Sequence, residues 1–300
     1  MIYTLTLNPA IDHVVKLDKL EIGETNRMHE ENISAGGKGI NVSKILKNLG
    51  ENSIVLGYIA GFTGNEIDRI LKEEGLSTDF IYIRDGFTRI NTKIKSEKET
   101  EINGPGLKIC KQEIEKLFDK LDDIKDGDYL FLSGSIPSSM DNGFYAKIME
   151  RLFSKNVNIA VDTTGGALVK TLKYSPKIIK PNLRELEELF NCQIAENVQI
   201  ERYSKRLQEM GAKNIIISMG GDGAYFLSEK GDSIFLEAPK GNVIDTVGSG
   251  DSMLAGFIFA LKNNFSLVEA FKFSVSCGSA TAFSEKLATK NEIYKIYKNL

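Results

Sequence analysis

Short apolar runs alternate with helical stripes along most of the 300 residues. Tyr3 to Leu7 alternates polar and apolar positions, the period of a strand. Asn8-Pro9 ends that run, since proline cannot continue a central ladder. Five later runs read as buried parallel strands: Ser53 to Tyr58, Tyr129 to Leu132, Val157 to Val161, Lys177 to Lys180 and Asn214 to Ser218. Between them lie stripes at i, i+3, i+4 and i+7. One is Ile114, Leu117, Phe118 and Leu121; a second is Leu183, Leu186, Leu189 and Phe190. A third, Ile200, Tyr203, Leu207 and Met210, is stopped by Gly211. Strand alternating with helix predicts an α/β fold with a doubly wound parallel sheet.

Two stretches break the rhythm. Val14 to Ser34 is polar and extended. Arg89 to Ile102 alternates around Ile90, Thr92 and Ile94 and carries a charged tip at Glu97-Lys98-Glu99, which predicts a hairpin. Both suit a one-sided antiparallel sheet outside the main core. The expectation is a small lid whose apolar face needs a cover, a second subunit being a candidate. No Pro/Gly/Ser linker divides the chain. Residues 1–300 therefore read as one domain, with a lid from roughly 12–34 and 88–103 inserted into the core.

Composition narrows the function. A net charge of −3 gives no field for bulk nucleic-acid binding. Three scattered cysteines form no CxxC pair, and two histidines nearly exclude a histidine-built metal site. No apolar run approaches a membrane span, and the first residues read as a strand rather than a signal peptide. A soluble cytoplasmic protein is expected.

Five motifs carry candidate chemistry. In Ser34-Ala-Gly-Gly-Lys-Gly-Ile-Asn41, Gly36, Gly37 and Gly39 let backbone amides approach a ligand at a helix start. Lys38 adds charge there, and the Asn41 amide can serve hydroxyls. The same glycines also suit a plain flexible loop. In Asp245-Thr-Val-Gly-Ser-Gly-Asp251, Gly248, Ser249 and Gly250 can present successive N–H groups as an anion nest. A carboxylate beside such a nest would repel an anion. Asp251 makes better sense as a base that takes a proton from a hydroxyl attacking a phosphoryl group. Ser218 to Gly223, with Gly220, Gly221 and Asp222, fits a nucleotide loop or a hairpin turn equally well. Asn182 and Glu185 after Lys180-Pro181 fit a capping-box-like pair or a magnesium-organising pair. Asp12 lies past the carboxyl end of the first strand, where open α/β sheets place ligands, although an Asx turn would also explain it. Together these point to phosphoryl transfer onto a hydroxyl through an anion hole that is not a P-loop.

The segments TLNPAID, AGGKGINV, LSGSIP, KPNLREL, SMGGDGA and DTVGSGDSM, in this order over essentially the whole chain, resemble the PfkB branch of the ribokinase-like sugar kinases. The resemblance implies a three-layer α/β/α core with a mostly parallel sheet, a small β-sheet lid, and homodimers clasped through the lids. It implies Asp251 as catalytic base and Gly248, Ser249 and Gly250 as the anion hole. ATP would lie on Ser218 to Gly223 and Lys180, and Asn182 and Glu185 would organise Mg²⁺ largely through water. Asp12, Gly36, Gly37 and Asn41 match sugar-binding positions. Arg89 and Asn103 look like phosphosugar contacts, and Arg27 resembles a basic lid position that reaches the partner's site. TRINTKIKSEKETEINGPG and CGSATAFSEKLAT are similar to the fructose 1-phosphate kinases of the family. Lys38 suits an acceptor that already carries phosphate, which it would hold with Arg89 and Arg27. The implied reaction is ATP-dependent phosphorylation of fructose 1-phosphate at the 6-hydroxyl. Tagatose 6-phosphate is the alternative acceptor, and a non-catalytic phosphosugar sensor is a distant alternative.

Overall fold

The computed structural model describes residues 1–300. Ten strands form the main sheet. From one edge the order is Ser233–Leu236, Ala224–Leu227, Asn214–Ser218, Ile178–Ile179, Asn158–Asp162, Tyr129–Ser133, Ile2–Thr6, Ile54–Ala60 and Ser77–Thr78. Ile81–Ile83 also pairs with Ile54–Ala60. Every pairing is parallel except the last two at the first edge, where Ala224–Leu227 and Ser233–Leu236 run antiparallel.

The strand period distributes side chains to two cores. Leu130, Leu132, Ile215 and Ile217 face one side, with Leu117, Tyr145, Leu186 and Leu207 of the covering helices. Phe131, Ile216 and Phe226 face the other, with Val42, Leu46, Leu254, Phe257 and Phe271. This makes three layers, with the sheet in the middle. No helix is long and apolar enough to cross a membrane.

The sheet is thus mostly parallel, as expected, with an antiparallel edge. The reversal follows from the short turn between Ser218 and Ala224, which is too tight for a crossover helix. The predicted strands otherwise form within a residue or two of their expected bounds. The helical stripes fall inside Lys111–Asp122, Leu183–Phe190 and Asn197–Glu209, except that Met210 caps the last of these.

A second sheet of four strands stands apart, in the order Glu30–Gly36, Ala10–Lys16, Ile90–Lys95 and Thr100–Asn103. The tip at Glu97 to Glu99 is a hairpin. The sheet is mixed rather than purely antiparallel, because Ala10–Lys16 pairs in parallel with Ile90–Lys95. Those two strands come from separate excursions that leave the core in the same direction, so no hairpin could join them. The register puts Asp12, Asn91, Lys93, Lys95, Glu101 and Asn103 on one face. The other face carries Ile11, Val15, Ile33, Ile90, Ile94 and Ile102.

Candidate active site

The candidate residues gather at the carboxyl ends of the parallel strands, where an open α/β sheet leaves a crevice. Helix Ser249–Lys262 starts there. Its N-cap, Gly248, has φ +78°, a left-handed conformation that glycine adopts without cost. A helix start leaves N–H groups without intrahelical partners. Here the Ser249 amide donates to the Thr246 carbonyl at 3.2 Å, a long bond that an incoming anion would compete with.

Asp251 sits in the first turn and is buried. It accepts a hydrogen bond from Asn41 Nδ2 at 2.8 Å. Burial, and then the charge of Asp162, push its carboxyl up to about 6, while Lys38, Asn41 and Lys180 pull the other way. A carboxylate tuned this way is ionised at neutral pH yet basic enough to take a hydroxyl proton.

Asp162 ends strand Asn158–Asp162 and is the residue that sequence reasoning missed. Its carboxylate is buried, with Lys38 Nζ at 3.1 Å and Lys180 Nζ at 3.8 Å. Burial raises its pKa, but the two ammonium groups more than reverse this and hold it low. In return Asp162 raises the pKa of Lys38 and keeps it charged. Asp162 thus ties two cations together, with the carboxylates of Asp251 and Glu185 also acting on Lys38. The only trace of this in the sequence is an acidic residue directly after the apolar run that ends at Val161.

Two cavities meet at Lys38, Gly248 and Asp251. The larger, about 970 Å³, is lined by Lys180, Asn182, Glu185, Ser218, Gly220 to Gly223, Ser249 and Gly250, with Val243, Val275 and Phe283 as apolar wall. The turn at Gly220–Asp222 is a hairpin connection that also lines this cavity. The same double placement holds for Asn182 and Glu185. They form a reciprocal cap, each backbone N–H donating to the other's side chain at 2.8 Å, and they also face this cavity. No three acidic, histidine or cysteine ligands converge anywhere. Glu185 at the cavity wall suits a magnesium ion that keeps its waters and takes further oxygens from phosphates.

The smaller cavity, about 410 Å³, holds Asp12, Gly37, Asn41, Arg89 and Asn103. Asn91, which sequence reasoning did not single out, donates to Asp12 at 3.1 Å and orients it. Arg89 donates to the carbonyls of Asn8 at 2.9 Å and Gly104 at 3.3 Å. Its Nε is buried without a partner, and burial lowers its pKa against the pull of Asp12. Gly36 faces an adjoining cavity beneath the polar face of the lid and packs against the Asp12 carboxylate so closely that a Cβ would collide with it.

Lys38 lines the smaller cavity with Arg89 and also reaches the larger one, at the junction of the two on Asp162. Arg27 is exposed, in the connection between Lys16 and Glu30, and lines neither cavity.

Comparison with known proteins gives four findings. The family model described as pfkB family carbohydrate kinase matches residues 5–293. Over 296 residues the chain is 40% identical to a Bacillus subtilis protein named 1-phosphofructokinase, covering 99% of this chain and 97% of the relative. Over 294 residues it is 35% identical to a Bacillus licheniformis protein named D-tagatose-1-phosphate kinase, covering 98% and 96%. Among solved structures, it resembles phosphofructokinase-2 from Escherichia coli in complex with fructose-6-phosphate. The TM-score is 0.93 at 26% identity, over 100% of this chain and 98% of that one.

Proposed function

The chain belongs to the pfkB family of carbohydrate kinases, and from that premise we propose that it transfers the γ-phosphoryl group of ATP to the 6-hydroxyl of fructose 1-phosphate. The products are fructose 1,6-bisphosphate and ADP. The observation that carries this reading is the pairing, in one cavity, of a buried base with a half-buried cation that lacks an acidic partner. Asp251 can take a proton, and Arg89 makes no ion pair with a carboxylate. A desolvated guanidinium in that state favours an anionic ligand, and a sugar phosphate supplies one.

Asp12 and Asn41 hold the sugar hydroxyls, with Gly37 allowing close approach, and Arg89 and Asn103 take its phosphate. The triphosphate lies along Lys180 and the turn Ser218 to Gly223. Asp251 accepts the acceptor's proton as the oxygen attacks the γ-phosphorus in line. The amides of Gly248, Ser249 and Gly250, with Lys38, stabilise the charge on the transferring group. Asn182 and Glu185 would hold Mg²⁺ through its waters, and the ion would neutralise phosphate charge. Asp162 keeps Lys38 charged and places both Lys38 and Lys180.

The exposed apolar face of the lid suits a homodimer closed through it, with Arg27 reaching the partner's site. A cytoplasmic setting suits three free thiols and a need for ATP.

The name of the B. licheniformis relative favours a second acceptor, a tagatose phosphate. Fructose 1-phosphate, tagatose 1-phosphate, tagatose 6-phosphate and fructose 6-phosphate should be compared with Mg-ATP by ADP release. We expect kcat/KM for fructose 1-phosphate to exceed the others by about a hundredfold, since a site that pairs buried polar groups with one acceptor leaves them unpaired with another. A preference for either tagatose phosphate would reassign the acceptor and keep the mechanism. Inactivity with all four would sink the reading.

A further inference from the structure

The lid touches the chemistry at one point outside the acceptor cavity. Strand Ile90–Lys95 begins beside Arg89, continues through Asn91, which holds Asp12, and ends at Lys95 on the same face of the sheet. Lys95 Nζ donates to Asp245 Oδ2 at 2.9 Å. Asp245 opens the segment that leads to the anion hole, and its other oxygen accepts the Val247 N–H at 2.9 Å. The amides of Ile244 and Asp245 both donate to the Ala282 carbonyl, and the Thr246 carbonyl accepts from Ser249. Between Pro239 and Val247 the chain forms no helix or strand, and Val243, Ile244 and Val247 are exposed. Polar ties rather than packing therefore set the position of this segment.

We infer that Lys95 is a positioning residue for phosphoryl transfer: its ion pair with Asp245 latches the lid to the loop that carries the anion hole. The inference rests on the kinase reading above. When the lid lies over the acceptor, Lys95 reaches Asp245, Asp245 fixes Val247, and the amides at Gly248 to Gly250 are held in place. When the lid lifts, the tie is lost and the hole loosens, so phosphoryl transfer waits for the acceptor. A partly exposed pair of this kind is weak enough to break on each cycle. Lys93, the neighbouring cation on the same face, lies 4.0 Å from Glu101 within the lid; its charge also acts on Asp245, but it makes no hydrogen bond to the loop.

The test uses the full-length protein with Lys95→Met and Lys95→Arg. Amide hydrogen exchange over residues 244–250 should quicken about tenfold in K95M and return toward wild type in K95R, with the sheet and the thermal midpoint unchanged. With a ketose phosphate that the wild type uses, K95M should lose about tenfold in kcat with the KM for ATP unchanged. A larger share of its ADP should also form without phosphorylated sugar. Exchange and kcat at wild-type levels in K95M would overturn the latch, as would a rise in acceptor KM alone. Wild-type inactivity toward every ketose phosphate would refute the substrate reading instead, and the exchange data would still decide the latch.

Discussion

Asp251 stands at a cost to the fold. Its carboxyl titrates near 6 in the folded chain, against an ordinary 3.8. The folded state therefore holds the proton more tightly, and stability is lost as pH rises between those values. At neutral pH the ionised group destabilises the folded chain by about 3 kcal/mol. Asp251→Asn should thus raise the thermal midpoint at pH 7.5, and the gain should vanish below about pH 4. The same change should cut kcat by about a thousandfold or more while leaving acceptor binding nearly intact, checked by calorimetry. Wild-type kcat should rise with pH and level off above about 6, the base being active only when ionised. A flat profile between pH 5 and 8 would remove Asp251 from the base role. Asp251 was legible in the sequence because its chemistry is local: a carboxylate three residues past a glycine that starts a helix. Asp162 was not, because its meaning comes from Lys38, 124 residues away, closing on it in space.

At the scale of elements, most strands and helices were legible because their periods are strong. The last two strands of the sheet were harder to read. Ala224–Leu227 follows a glycine-rich turn that reads equally well as a ligand loop, and its reversal depends on the turn's length rather than on any apolar period. The parallel pairing inside the lid was also hidden, since register between distant segments leaves no local signature. The junction of lid strand Glu30–Gly36 with helix Lys38–Leu49 offers a test at this scale. A methyl at Gly36 would push on the Asp12 carboxylate. Gly36→Ala should raise the KM for the acceptor about tenfold or more and leave that for ATP alone, because the nucleotide cavity lies across Asp251. Equal effects on both substrates would mean that Asp12 is not an acceptor ligand.

The whole molecule turns on the two faces of the lid sheet. One is polar and looks into the acceptor site. The other exposes Ile33 at 53% and Ile102 at 59%, joined across the sheet by His13 and Thr92. An isolated sheet with an uncovered apolar row is a surface for a partner. Ile33→Glu with Ile102→Glu should convert the proposed dimer to a monomer in sedimentation, with the core fold unchanged; a wild type already monomeric at micromolar concentration would refute the lid clasp. The pair of cavities joined only at Lys38, Gly248 and Asp251 has a further consequence. On the proposed reading, the choice of sugar lies in the lid and the segments that lead into it, whereas the reaction, Lys38 aside, lies in the later half of the chain. Inheritance can therefore rewrite one without disturbing the other. A lineage of such proteins could exchange one acceptor for another by editing a few lid positions, while the apparatus that moves the phosphoryl group passes unaltered from ancestor to descendant.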